Sequence, residues 1–190
     1  PALGLRDFSL YVLFFPALTA GPIARIEHFQ RELNATPVAG ARLLEGGRRI
    51  GIGLLKKFVI ADSLALLALN DALAAQTHSA IPLWIMLYAY ALRLFFDFSG
   101  YTDIAIGIGL WAGLKLPENF DAPYFKRNIA AFWNAWHITL STWFRVYFFM
   151  PLSRTLMMPA SPLRRYKLAV VLIAQVATMI LIGLWHGAAL

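Results

Sequence analysis

From Leu168 to Leu190 the chain runs for 23 residues without one Asp, Glu, Lys or Arg. A bilayer's hydrocarbon core is crossed by roughly 20 apolar residues in an α-helix, so this stretch is long enough to span. Near its end it carries Trp185-His186-Gly187, an imidazole placed deep in an otherwise uncharged segment.

The rest of the chain agrees with a lipid environment. Of 190 residues 59% are hydrophobic and only 14% charged, against about 25% charged in ordinary soluble domains. That composition excludes a disordered chain. Seventeen basic and ten acidic residues leave a net charge of +7, and no basic run exceeds two residues. A nucleic-acid interface needs a denser basic face, so the excess reads as loops flanking spans and no nucleic-acid partner is expected. With no cysteine, this stretch offers no disulfide, no thiolate metal site, no thiol nucleophile and no palmitoyl anchor. The chain opens at Pro1 without a Met or a signal-peptide pattern and closes inside an apolar run, so a piece of a longer membrane protein is expected.

Hydropathy and breakers divide the chain into an all-α, polytopic arrangement. Spans are expected near 8–24, 58–75, 81–114 and 168–190. The first is interrupted by Pro16, Gly21 and Pro22, which a regular helix does not run through. A short helix ends near Leu33, a turn covers Asn34 to Pro37, and Gly46 to Ala75 reads as helical. Gly109 and Gly113 are four apart, a spacing that lets helices approach closely in lipid. Basic clusters at 25–57, 115–127 and 154–167 fall on the cytoplasmic side by the positive-inside rule. Between the last two lies only 128–150, which should therefore dip into the membrane and return. A re-entrant backbone is tolerated only where protein or a water-filled cavity covers it.

Ionisable groups within membrane segments are expensive and mark function; here they are Arg93, Asp97, Asp103, His137, Arg145 and His186. Arg93 and Asp97, four apart, could pair on one helical face. Asp103 could cap a helix beginning at Ile104. The Asp97–Asp103 spacing lacks the further ligands of a calcium loop, and no metal site is expected. His137 sits among Trp133, Trp136 and Trp143, as in an interfacial aromatic belt, whereas His186 in its apolar run needs a hydrogen-bond partner to be merely structural. A neutral imidazole is the cheapest general base to hold in an apolar site. Neither a Gly-x-Ser-x-Gly elbow nor a His-Glu-x-x-His zinc pattern occurs, which argues against serine-triad hydrolysis and zinc proteolysis.

Several ordered motifs together resemble the membrane-bound O-acyltransferases, in particular the bacterial branch that modifies envelope polymers. They are Phe14-Phe15-Pro16 with Ala20-Gly21-Pro22-Ile23, Gly53-Leu54-Leu55-Lys56-Lys57 with Ile60-Ala61-Asp62, and Phe96-Asp97-Phe98-Ser99-Gly100-Tyr101-Thr102-Asp103. Pro117-Glu118-Asn119-Phe120, Phe132-Trp133, Trp136-His137-Ile138-Thr139-Leu140-Ser141-Thr142-Trp143-Phe144-Arg145 and Gly183-Leu184-Trp185-His186-Gly187-Ala188 complete the set. The likeness covers nearly the whole chain, as one fragment (1–190) of such a domain. Two departures are Val146, where the family commonly has an acidic residue, and Ser153-Arg154 in place of a Gly-rich turn.

The resemblance implies a multi-helix core around a tunnel, with His186 at the catalytic histidine and His137 at the second characteristic histidine. Asp97, Asn119, Trp136 and Trp185 are expected to line or support the tunnel. It implies acyl transfer to a hydroxyl, without a bound cofactor, from a thioester co-substrate (acetyl-CoA or an acyl carrier). The acceptor would be an envelope polysaccharide at the bacterial inner membrane, with a partner acyltransferase or acyl carrier protein. Two other readings stay open: D-alanyl transfer from a carrier-protein thioester to a teichoic-acid-like polymer, and a transporter with a buried proton relay.

Overall fold

A computed structural model describes residues 4–35 and 40–187; the end of the turn expected at Asn34 to Pro37, and Ala188 of the last motif, lie outside the described residues. Among the described residues the chain is helical, without strands. It divides into two compact units, residues 1–121 and 122–190.

In the first unit, α1 (Leu5–Val12), α2 (Phe15–Leu18) and α3 (Ile26–Leu33) precede α4 (Gly40–Leu54). The end of α3 is where the polar pattern placed it. The 8–24 stretch is two short helices, not one, with Pro16 in the first turn of the second, where a missing N–H does no harm. From α4 the helix widens into a π-helical stretch at Leu55–Ala61 and closes as α5 (Asp62–Ala65). The helix expected to run unbroken from Gly46 to Ala75 therefore stops at 66–70. There Asn70 begins α6 (Asp71–Gln76) by accepting the Leu73 N–H at 2.9 Å, because a side-chain amide oxygen competes well for the free donors of a helix start.

α7 (Ala80–Trp111) is 32 residues long, about 48 Å at 1.5 Å per residue, and is one of two helices among the described residues long and apolar enough to cross a membrane. Its first half keeps Ile81, Trp84 and Tyr88 exposed, while nearly all of its buried residues lie from Ser99 onward. Gly113, in the left-handed region at φ 83°, ends it: the Leu114 N–H reaches the Gly109 carbonyl and the Gly113 N–H the Leu110 carbonyl. These two bonds satisfy carbonyls that a helix end otherwise orphans. Gly113 is thus a helix stop, and the helix contact expected at Gly109 and Gly113 is made elsewhere.

That contact joins α4 to α7 in antiparallel register, through glycines seven apart on each. A Cβ on Gly53 would stand 2.6 Å from the Gly100 carbonyl oxygen, and one on Gly107 equally close to that of Gly46. The backbones touch, and no side chain fits between them. Around this seam the charges pair. Asp103, buried in mid-helix, accepts from Arg49 at 2.5 Å and from Lys56 at 2.6 Å, while Arg49 also pairs with Glu118. Asp103 is accordingly no helix cap, since α7 runs straight through the Phe96–Asp103 motif. Asp97 pairs with Lys57 at 2.5 Å rather than with Arg93, because the π-helical stretch after α4 brings an ammonium group to the face that Asp97 occupies. Arg48 holds the Glu45 carboxyl down to about 2 through two hydrogen bonds of 2.7 Å.

Ala24, Ala105, Ile106, Leu110 and Leu116 form the apolar core beneath Phe14 and Tyr101. The Tyr11 hydroxyl donates to the Ala24 carbonyl at 2.9 Å and its ring meets Phe29 edge-on.

In the second unit a 3-10 turn (Pro123–Phe125) leads to α8 (Ile129–Ala135), α9 (Ile138–Phe144), a π-helical turn (Arg145–Phe149), α10 (Met150–Leu156) and α11 (Lys167–His186). Of the expected 168–190 span, residues 168–186 lie in the second helix among the described residues that is able to cross a membrane, Lys167–His186.

The seam gives a paired prediction. Gly100→Ala places a methyl 2.8 Å from the Gly53 oxygen and should destabilise the full-length protein by about 1–3 kcal/mol. Gly51→Ala on α4 meets nothing within 4 Å and should stabilise it by roughly 0.5–1 kcal/mol through helix propensity. Thermal melting of the two variants in mild detergent checks the opposite signs.

Candidate active site

The second unit builds a site from a break between two short helices and one face of a long one. Asn128 starts α8 by accepting the Ala131 N–H at 2.8 Å. Seven residues later the helix stops. Trp136 is extended and His137 takes the left-handed conformation, φ 44° and ψ 54°, after which the His137 carbonyl accepts the Ser141 N–H and α9 begins. A non-glycine residue held there costs roughly 1–2 kcal/mol, and such strain persists only where its surroundings over-determine it. The surroundings are aromatic: Trp136 stacks on Phe132 with centroids 5.7 Å apart, and Tyr124 meets both rings. His137 is left only 9% exposed.

α11 supplies the opposing wall. Gln175, Thr178, Met179, Ile182, Gly183 and His186 recur at helical spacing and face one cavity of about 690 Å³. From α8 and α9 it is lined by Trp133, Trp136, His137, Leu140, Ser141 and Phe144, so its walls are largely apolar with a few polar groups converging. Arg145, on the π-helical turn, brings a positive charge to the lining. Residues 122–190 contain no Asp or Glu at all, so no carboxylate of this unit orients either imidazole.

His186 is oriented by backbone instead. Its Nδ1 lies 2.8 Å from the Ile182 carbonyl oxygen, which can only accept, so Nδ1 carries the proton. In a neutral ring that leaves Nε2 as a lone-pair acceptor. Trp185 packs edge-on against the His186 ring at 4.9 Å and lies 6.2 Å from the His137 ring.

Of the sequence-predicted site residues, the structure brings His137, Trp136 and His186 onto one cavity, with Trp185 against both imidazoles. Asp97 and Asn119 belong to the first unit, where Asp97 pairs with Lys57 and fully buried Asn119 approaches the Thr102 hydroxyl at 3.5 Å. Gln175 and Thr178 were missed. Their signal was present: polar residues 11 and 8 positions before His186 in an apolar run fall on its helical face.

An apolar chamber with two imidazoles, one bearing a fixed free lone pair, suits proton removal from a hydroxyl. The sequence profile of the membrane-bound O-acyltransferase family matches residues 3–190. The chain belongs to that family. It is 40% identical over 184 residues to the probable alginate O-acetylase AlgI of Pseudomonas aeruginosa, covering 97% of this chain and 34% of that protein. It is 38% identical to a peptidoglycan O-acetyltransferase of Helicobacter pylori (96% and 33% covered). It is also 36% identical to a teichoic acid D-alanyltransferase of Bacillus subtilis (98% and 48% covered). The chain thus spans a third to a half of the length of these relatives.

The left-handed backbone at His137 predicts an order of stability. His137→Gly removes the ring but relieves the strain, so it should melt above His137→Ala, by about 1 kcal/mol. His137→Val, β-branched, should melt lowest. Melting curves of the three full-length variants test the ranking.

Proposed function

We propose that the full-length protein is an O-acyltransferase of the bacterial inner membrane, crossing it several times, that moves an acetyl group from a thioester to a hydroxyl of an envelope polysaccharide. The observation that carries this reading is His186, its Nδ1–H anchored on the Ile182 carbonyl and its ring facing the cavity that His137 also lines. Nε2 takes the proton of the acceptor hydroxyl as that oxygen attacks the thioester carbonyl. The tetrahedral intermediate then collapses, the carbon–sulfur bond breaks, and the departing thiolate recovers the proton from the imidazolium. His137, held in place by the strained break, is positioned to donate to the oxyanion. The absence of cysteine from this stretch supports direct transfer over an acyl-thioenzyme formed here. No bound cofactor is required; the thioester, acetyl-CoA or an acyl carrier, is a co-substrate. A partner acyltransferase or acyl carrier protein would complete the pathway across the membrane.

The alginate and peptidoglycan relatives support the acetyl reading, and the teichoic acid relative supports D-alanyl transfer from a carrier-protein thioester. One experiment separates them. Envelope-polymer esters are quantified by mass spectrometry in cells carrying the full-length protein, wild type beside His186→Ala at matched expression. O-acetyl esters should fall by about 100-fold or more, in the range for loss of a general base. Loss of alanyl esters alone would assign the carrier-dependent reaction. Unchanged esters of both kinds would refute His186 as the base and favour a proton-relay transporter.

A further inference from the structure

The charge of this chain is unevenly divided. Residues 1–121 balance ten basic against ten acidic side chains, so the whole excess of +7 falls in residues 122–190, which hold seven Lys and Arg and no carboxylate. Four of the seven, Arg154, Arg164, Arg165 and Lys167, lie within 14 residues directly before and at the start of α11. All four are exposed, and none has an ion-pair partner among the described residues.

The connecting segment is built from successive tight turns, with the Ser161 N–H on the Met158 carbonyl, the Arg164 N–H on the Ser161 carbonyl and the Tyr166 N–H on the Leu163 carbonyl. The Ser161 hydroxyl oxygen also accepts the Leu163 N–H at 3.3 Å. These turns frame an open depression lined by Ser161, Pro162, Arg164 and Arg165. Beside it Met158, Tyr166 and Leu168 are exposed by more than half, and the Arg165 guanidinium lies 4.7 Å from the Tyr166 ring centroid. Uncompensated guanidinium groups next to exposed apolar and aromatic side chains, at the mouth of a helix able to span, match the two layers of a phospholipid surface: anionic phosphate outside, acyl chain within.

We propose that residues 154–167 form a binding site for anionic phospholipid headgroups, with Arg164 and Arg165 taking the phosphate in the depression at Ser161 and with Tyr166, Met158 and Leu168 seated among the upper acyl carbons. Arginine suits this role because its planar fork meets two phosphate oxygens at once. The proposal rests on α11 as a membrane span and is independent of the chemistry assigned to His186.

Native mass spectrometry of the full-length protein in neutral detergent, titrated with phosphatidylglycerol or phosphatidylcholine, tests it. Phosphatidylglycerol should bind at least tenfold more tightly, and the Arg164→Gln/Arg165→Gln double variant should lose about tenfold or more of that affinity without weakening phosphatidylcholine. The double Lys variant should lie between the two, because it keeps charge but not the fork. Both arginines are exposed and outside the cavity, so envelope-ester formation in the Gln variant reports that it folds. Equal affinity for the two lipids, or a Gln variant that binds phosphatidylglycerol as wild type does, would overturn the proposal. So would loss of acidic carrier-protein binding with lipid binding intact, which would assign the patch to a protein partner.

Discussion

Lipid offers no hydrogen bonds, so a chain within it must satisfy each backbone donor and acceptor itself, and much of this structure follows from that requirement. It explains why the described residues are helical, and why helices that end do so with specific closures. Gly113 returns two N–H groups to the carbonyls at the end of α7. Asn70 and Asn128 each give an amide oxygen to a helix start. The His137 break is closed by a bond to the Ser141 N–H. The same requirement serves the proposed chemistry: the Ile182 carbonyl, on the last turns of α11, receives Nδ1–H of His186. One backbone acceptor thus fixes the tautomer that a general base needs, a task often given to a carboxylate.

The two units handle charge differently. In the first, cations and carboxylates are equal in number and converge on the α4–α7 seam, where Asp103 takes both Arg49 and Lys56. A buried carboxylate is tolerated when it is paired this fully, and the pairing fixes the register that the glycines allow. In the second, carboxylates are absent, and the cavity holds imidazoles, amides, hydroxyls and Arg145. No carboxylate of this unit competes for either imidazole, and the four cations of the outer loop have no ion-pair partner among the described residues.

Much of this was legible in the residues. The 23-residue uncharged run gives α11, and Trp-His-Gly at its end marks the histidine proposed as the base, because an imidazole is conspicuous in an apolar helix. The break at His137 was not legible, because its cause, a left-handed residue, has no sequence signal when the residue is not glycine. Three expectations failed for one reason, that partners distant in sequence outrank local spacing. Asp97 prefers Lys57 to Arg93, Asp103 pairs across helices instead of capping one, and the close approach is made by Gly53 with Gly100 and Gly46 with Gly107. The halt at residues 66–70 was hidden by apolar residues that suit a helix equally well.

On the proposed function, acyl transfer takes place in the cavity between α8, α9 and α11. Ser141 lines it, and this stretch has no cysteine, so Ser141→Cys in an otherwise cysteine-free full-length protein reports on the chamber directly. The rate of its alkylation by a small maleimide is measured with and without a saturating non-hydrolysable thioether analogue of the acyl donor. The analogue should protect Ser141→Cys at least tenfold, and an analogue lacking the acyl group and its sulfur should not protect it. An alkylation rate unchanged by the acyl analogue, in a variant that still esterifies the envelope polymer, would contradict this placement of the transfer.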